Sequence, residues 1–406
     1  MIFSIWYSHI TTKERRGGKM KIGMSIELRE PQHISGVTVS ANSQIEFLQS
    51  KGHKVNLFSP RVPGYRGTAN LPVIPLPSYK WDGKYWAKFW LQQWQLCGLE
   101  RIVRDSNFDA IHFHGHYGSD LILSRLARKL RIPCIATYHT DSSAYIDARV
   151  KDRIGRYLAH RFDNSWFREI KSSANCFIAP SNYAKELLLN LSVPEEKIIV
   201  LPTPIDIPDN LPTKEEARRC LCLPKDSKIL LFVGRLAEEK NPRMMLEAFA
   251  LVARENKDVI LILVGGGEYD IFGIAERLGI KDRIIITGSK EHKDVWQYYA
   301  SADIFVFPSV TETQGIAIQE AMGVGLPTVA VKKGGASEAI IDNVNGIVVG
   351  NDAQQFTNGV LDFLTQKEFA QKCSEAATKT INAQFSSEVI YTKMIEIYEK
   401  LVRSAK

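Results

Sequence analysis

The 406-residue chain is 45% apolar and 24% charged, values that exclude a disordered or collagen-like chain and leave room for two or three domains. No run of about 18 apolar residues occurs, so no segment reads as a membrane-spanning helix. The net charge of +7 is uneven: residues 1–200 carry 28 Lys and Arg against 17 Asp and Glu, and residues 201–406 carry 24 against 28. A basic first half suits an anionic partner such as a membrane surface or nucleic acid, or is a chance excess on solvated helices.

Residues 1–19 place their basic residues after the apolar ones, the reverse of a signal peptide. They are expected to be a disordered extension or the product of an upstream start, with Met20 as the alternative start. From there short apolar runs alternate with longer helical patterns. Lys21–Ile26 predicts a strand, Val39–Lys51 a helix closed by Gly52, and His53–Phe58 a strand. Tyr85–Arg104 predicts one long helix. Ala110–Phe113, Cys134–Tyr138, Cys176–Ala179 and Ile198–Leu201 predict strands, separated by helices over Ser119–Leu130, Val150–Ser172 and Tyr183–Leu191. The order predicts a parallel sheet with helices on both faces.

The stretch 202–213, PTPIDIPDNLPT, holds four prolines and can continue neither a helix nor a central strand. The alternation then restarts. Strands are expected at Lys228–Val233, Val259–Val264, Arg283–Thr287, Ile304–Phe307, Thr328–Val331 and Gly346–Val349. Helices are expected at Pro242–Glu255, Lys293–Ser301 and Gly315–Met322, and around 353–365, 368–382 and 387–403. This divides the chain into a first domain (20–202), a linker (203–213), a second domain (214–385) and a last helix (386–406). Two such sheets in series make a cleft, and ligands of open α/β sheets bind at the carboxyl ends of the strands. The six cysteines form no Cys-x-x-Cys pair, which suits a reduced, cytoplasmic protein.

Five segments at strand ends could carry chemistry. In FVFPSVTETQGIAIQEAMGVG (305–325) a strand ends at Pro308 and a helix opens at Gly315. The N–H groups of Gln314, Gly315, Ile316 and Ala317 would offer an anion site, with the carboxylates of Glu312 and Glu320 on either side to accept hydrogen bonds from sugar hydroxyls. An ordinary acidic helix cap is the other reading. In FVGRLAEEKNP (232–242), Arg235 and Lys240 at a strand's end suit a diphosphate, or are solvated loop cations. VGGG (264–267), with Gly265, and the loop around Gly36 allow a ligand close to the backbone. His139, in ATYHTDSS, ends a strand. His112, His114 and His116 alternate on a strand, but no carboxylate or fourth ligand is spaced to join them, and no metal is expected.

Together these segments resemble the retaining glycosyltransferases of family 4, with the GT-B fold of two Rossmann-like domains. The resemblance runs from Met20 almost to the end, and the spacing of Glu312 and Glu320 is its most specific element. It implies that Arg235 and Lys240 bind the donor diphosphate, that Glu312 and the amides of residues 314–316 hold the donor sugar, and that Glu320 holds the ribose. It also implies that His139 lies near the transferred sugar and that Gly36 lies beneath the diphosphate. Val264–Gly266 and Ser289–Glu291 would surround the base. The expected reaction is metal-free transfer of a hexose, from UDP-glucose or a similar donor, with retention and with no cofactor. The last helix is expected to cross back to the first domain. Pro204 departs from the glycine common at that point in the family and is expected to stiffen the hinge.

The acceptor side is read from YKWDGKYWAKFWLQQW (79–94). As a helix it would align Trp86, Phe89, Trp90 and Trp94 on one face, flanked by Lys80, Lys84 and Lys88. That face suits an anionic membrane, or is a core stripe. TYHT and TETQG also resemble the bacterial diacylglycerol glucosyltransferases, which are peripheral membrane enzymes. A membrane glycerolipid is therefore the expected acceptor, with a soluble or polysaccharide acceptor as the alternative. The expected location is cytoplasmic, on the inner face of the membrane. A nucleic-acid partner would not explain the paired glutamates and the Arg/Lys loop. A non-catalytic sugar-nucleotide binder would not need His139.

Overall fold

The computed structural model describes residues 18–27, 36–63, 67–68, 71–81, 84–88 and 91–405. The proposed extension falls almost wholly outside them. Ten strands come from the first half: β1 (Lys21–Ser25), β2 (Lys54–Pro60), β3 (Gly67–Thr68), β4 (Leu71–Leu76), β5 (Ser78–Trp81), β6 (Lys84–Ala87), β7 (Ala110–Phe113), β8 (Cys134–Thr137), β9 (Cys176–Ala179) and β10 (Ile198–Val200). Eight of them form one sheet in the order β10-β9-β8-β7-β1-β2-β4-β3, with β5 and β6 set apart as a hairpin. The pairings are parallel except for β3 with β4. The central strands are buried along their whole length, as expected where helices cover both faces.

The second sheet is wholly parallel: β11 (Lys228–Val233), β12 (Val259–Val264), β13 (Ile284–Gly288), β14 (Ile304–Phe307), β15 (Thr328–Val331) and β16 (Ile347–Val349), in the order β13-β12-β11-β14-β15-β16. Strand order reverses at β1 in one sheet and at β11 in the other. Loops leaving those strands and their neighbours diverge there and open a crevice.

No helix or strand interrupts 201–213. Within this linker the backbone of Thr203 is held by one side chain of the second domain: its N–H donates to Gln314 Oε1 at 2.7 Å, and its carbonyl accepts from Gln314 Nε2 at 2.8 Å. Buried backbone groups need such partners, and the amide supplies both.

The last helix, Ser387–Ala405, packs against the first domain. Ile390, Tyr391, Met394 and Tyr398 share a core with Met20, Ile22, Ile45 and Leu57. Tyr398 reaches furthest, its hydroxyl lying 2.6 Å from His112 Nδ1.

One expected element is not there. The single helix over Tyr85–Arg104 is a hairpin, β5–β6, followed by a helix at Gln93–Ser106. Tyr79 faces Trp86 and Lys80 faces Tyr85 across the hairpin. Two-residue alternation replaced the helical spacing because Tyr, Trp and Lys-flanked aromatics pair well across strands. Trp86 is half-buried in this hairpin, Trp94 stands exposed on the following helix, and Phe89 and Trp90 lie outside the described residues. Trp86 and Trp94 therefore do not share a helical face. The expected helix over 150–172 is present as Arg153–Ser173, and a further short helix, Ser142–Arg149, precedes it. Among the described residues no helix is long and apolar enough to cross a membrane.

Candidate active site

The second domain builds one wall. β11 runs into Gly234, and β12 into Gly265, whose backbones touch: a Cβ on Gly265 would sit 1.9 Å from the Gly234 carbonyl oxygen. Only glycine lets the two turns close so tightly, and Gly265 has φ +152°. This sets Arg235 at the lip, its guanidinium 2.5 Å from Glu239 Oε1 and 5.5 Å from the centre of the Tyr145 ring of the first domain. Lys240 forms an ion pair with Glu312. A donor diphosphate would compete with Glu312 for that ammonium.

β14 leads through Glu312 to the helix Ile316–Gly323. Gly315 precedes it at φ +78°, packed against Ala336 so closely that a Cβ would lie 2.6 Å from the Ala336 Cβ. The first free N–H donors of that helix, on Ile316 and Ala317, have no acceptor among the described residues and carry the positive end of its dipole. Gly36 opens the facing helix Gly36–Ser50 of the first domain, and a Cβ there would be 3.4 Å from Ile316 Cδ1. Two helix starts thus meet across the cleft. The side chain of Gln314 is committed to the linker and to Gln319 Oε1 at 2.7 Å, so only its backbone can serve a donor.

Glu320, one turn into the helix, is buried. Its carboxylate accepts from Tyr299 at 2.7 Å and meets His292 Nε2 at 2.6 Å. The carboxylate raises the imidazole's pKa by that hydrogen bond, against the opposing effect of burial. Each carboxylate oxygen keeps a further lone pair for a hydroxyl. Beside it, Gly266 backs onto Ser289, and Gly265 N–H donates to the Gly288 carbonyl at 3.1 Å.

The first domain supplies His139 at the end of β8. Its ring nitrogen Nε2 lies 3.0 Å from His114 Nδ1, and the two rings stack. Burial pushes His139 down to about 4 and His114 well below its ordinary value, so both are neutral near pH 7 and one donates to the other. The His139 carbonyl accepts from Thr313 Oγ1 at 2.7 Å, and Ser181 Oγ donates to the Thr313 carbonyl at 2.5 Å. The loop before Gly315 is thereby locked to the first domain.

The three alternating histidines part company. His112 lies against Thr137 and Tyr398, His114 against His139, and His116 against Asp163 at 2.7 Å. Among the described residues no three His, Cys, Asp or Glu side chains are grouped to hold one ion. The structure thus brings Gly36, His139, Arg235, Lys240, Gly265, Glu312, the 314–316 backbone and Glu320 to one cleft. Of the hairpin lysines, Lys80 is exposed, and Lys84 and Lys88 are half-buried. Sequence reasoning weighed His114 only as a metal ligand and missed Tyr145, His292 and Tyr299. For the last two a signal existed, since positions 292 and 299 are seven apart and share one helix face.

Known proteins resemble this chain in sequence and in fold. Residues 34–208 match the family model described as Glycosyltransferase Family 4, and residues 213–380 that of Glycosyl transferases group 1. The chain is a glycosyltransferase built of these two family domains. A relative from Streptococcus pneumoniae, named alpha-monoglucosyldiacylglycerol synthase, is 28% identical over 394 residues, covering 94% of this chain and 84% of its own. A D-inositol 3-phosphate glycosyltransferase of Xylanimonas cellulosilytica is 24% identical over 73% of each chain. Among solved structures, sucrose-phosphate synthase from Thermosynechococcus elongatus superposes with a TM-score of 0.77 at 21% identity, over 95% of this chain and all of that one. Anabaena HepE, solved with UDP-glucose, gives 0.73 at 17% identity, over 94% and 100%. This glycosyltransferase therefore has the GT-B fold, its two sheets facing one cleft.

Proposed function

We propose that this glycosyltransferase moves a hexose from a UDP-sugar to a hydroxyl of a membrane glycerolipid, with retention at the anomeric carbon. The observation that carries the reading is the convergence of Arg235, Lys240 and the helix start after Gly315 on one side of a cleft, with His139 on the other. The two cations and the helix amides meet charge that grows as the diphosphate leaves. Glu312 and the 314–316 backbone hold the sugar hydroxyls, and Glu320 holds the ribose. The departing diphosphate lies on the face where the acceptor arrives and takes its proton. His139 is neutral, so its carbonyl and ring orient the sugar and are not a charged acid. The diphosphate charge is assigned to these groups without a metal.

The acceptor is inferred from the streptococcal relative's name and from the basic first half. The inositol-phosphate relative supports a soluble polyol acceptor as the second reading. The test is transfer from radiolabelled UDP-glucose, UDP-galactose and GDP-mannose to diacylglycerol or glucosyldiacylglycerol in mixed micelles, with and without excess EDTA. A labelled lipid whose anomeric coupling matches the donor supports the proposal. Transfer only to water-soluble acceptors, inversion, or loss of activity in EDTA refutes the corresponding part.

A further inference from the structure

The helix Arg153–Ser173 is amphipathic, but its outer face is not polar. Phe167 and Ile170 turn inward, and the helix lies against Gly118–Leu130. On the other side Ile154 is 74% exposed, Tyr157 63%, Leu158 44% and Phe162 61%. Their spacing of 0, 3, 4 and 8 puts them on one face. Scattered single apolar residues on a surface need no explanation, but a contiguous set of this size does.

The charges around this face are one-sided. Lys151, Arg153, Arg161 and Arg168 are exposed and have no carboxylate partner among the described residues. The neighbouring acids are otherwise engaged. Asp152 caps the helix, accepting from Gly155 N–H at 2.6 Å. Asp163 turns inward to His116 and Ser142. Glu169 meets Arg128 at 2.9 Å, and Asp147 meets His160 at 2.8 Å. Apolar side chains interleaved with unpaired arginines are the make-up of a helix that lies in a membrane interface, with its rings and aliphatics in the acyl boundary and its cations among anionic headgroups. The face also adjoins the cleft: the preceding helix, Ser142–Arg149, carries the Tyr145 ring against Arg235.

We propose that this outer face of Arg153–Ser173, and not the 79–94 segment, seats the protein on an anionic bilayer. The inference deepens the glycerolipid reading and rests on it for its purpose, because an acceptor held in that bilayer would reach the cleft without leaving the lipid. Its test does not need turnover. Full-length protein is floated with phosphatidylcholine vesicles, with and without phosphatidylglycerol, across a salt series. Three variants are run beside it: Ile154→Ser with Phe162→Ser; Arg153→Gln with Arg161→Gln and Arg168→Gln; and Lys80→Ser with Lys84→Ser and Lys88→Ser.

The expected result is flotation of the wild type with anionic vesicles only, released as salt rises. The arginine variant should bind about 100-fold more weakly, since each cation near an anionic surface is worth roughly fivefold. The Ile154/Phe162 variant should fail even at low salt, where electrostatic attraction is strongest. The lysine variant should bind as the wild type does. Melting temperatures should stay within a few degrees of the wild type, because these side chains are exposed. Both failing variants should still transfer to detergent-solubilised lipid. Absent flotation of the wild type, unchanged binding by the first two variants, or a loss confined to the lysine variant overturns the proposal. So does sedimentation showing a dimer that Ile154→Ser with Phe162→Ser dissolves, which would give the face to a second copy. Normal flotation with transfer only to soluble acceptors would instead refute the glycerolipid acceptor and leave the docking face standing.

Discussion

Replacing Glu320 by Gln keeps the shape of the side chain and removes its charge. The native carboxylate accepts from Tyr299 and meets His292, at 2.7 and 2.6 Å, and has one acceptor site left on each oxygen for the two ribose hydroxyls. An amide offers one acceptor oxygen, and its bonds are neutral. Charge-assisted hydrogen bonds exceed neutral ones by roughly 1–1.5 kcal/mol. Two weakened ribose contacts thus amount to about 2–3 kcal/mol, a rise of roughly 30- to 150-fold in donor KM. The ribose is held alike in the ground and transition states, so kcat should change little. The assay is initial rate against donor concentration at saturating acceptor, alongside calorimetric binding of UDP. A 2′-deoxy donor sharpens it: the wild type should discriminate against that donor, and Glu320→Gln should do so much less. An unchanged KM, or a fall in kcat at constant KM, would refute the assignment of Glu320 to the ribose.

Arg235→Ala and Lys240→Ala should each lower kcat about 10²- to 10³-fold, by analogy with losing one oxyanion donor; full activity in either variant at saturating donor would place that cation outside the site. Gly315→Ala forces a side chain into a left-handed conformation and against Ala336, so a loss of roughly 2 kcal/mol or more in urea-unfolding stability is expected. His292 has a raised pKa through Glu320. Its contribution to stability is full below about pH 6.5 and is lost as pH rises through the folded value, so urea midpoints should fall over that window in the wild type and flatten in His292→Gln. His112 and His139, pushed down to about 3 and about 4 by burial, have the opposite sign: their contribution is present above about pH 6.5 and is lost as pH falls through the folded values. The wild type should therefore unfold more readily in acid, and His112→Gln should show less of that loss.

The alternation of apolar runs was enough to place nearly every central strand, because a strand buried on both faces reads as a continuous apolar run whatever surrounds it. Glu312, Glu320, Arg235 and Lys240 were legible because each sits at a fixed distance from such a strand's end. What failed depended on partners distant in sequence. The 79–94 aromatics satisfy a helical spacing, but Ala87 N–H donates to the buried Glu27 carboxylate at 2.6 Å, and the Ala87 carbonyl backs onto Gly118. Those contacts fix an extended backbone that local spacing does not reveal. The outward apolar face of Arg153–Ser173 was hidden for a related reason. Its arginines made the segment look like a plain polar helix, and only the packing of Phe167 and Ile170 shows which side is left over. His114 became meaningful only when β7 and β8 paired and set it beside His139.

The last helix has a consequence for the order in which the protein can be made. Met20, Ile22 and Leu57 precede the second domain in the chain, yet the core they occupy is completed by Tyr391, Met394 and Tyr398, which follow it. The second domain can close its own core as soon as its chain is free, since the buried members of that core run from Ile205 to Ile381. The first domain is therefore completed only after the second, and until then the part of its sheet face that Gly36–Ser50 does not cover stays exposed. A nascent chain is vulnerable over that interval, and an acceptor-side fragment expressed alone would need Ser387–Ala405 supplied with it. The same helix makes the two halves inseparable, because no single cut leaves both of them whole.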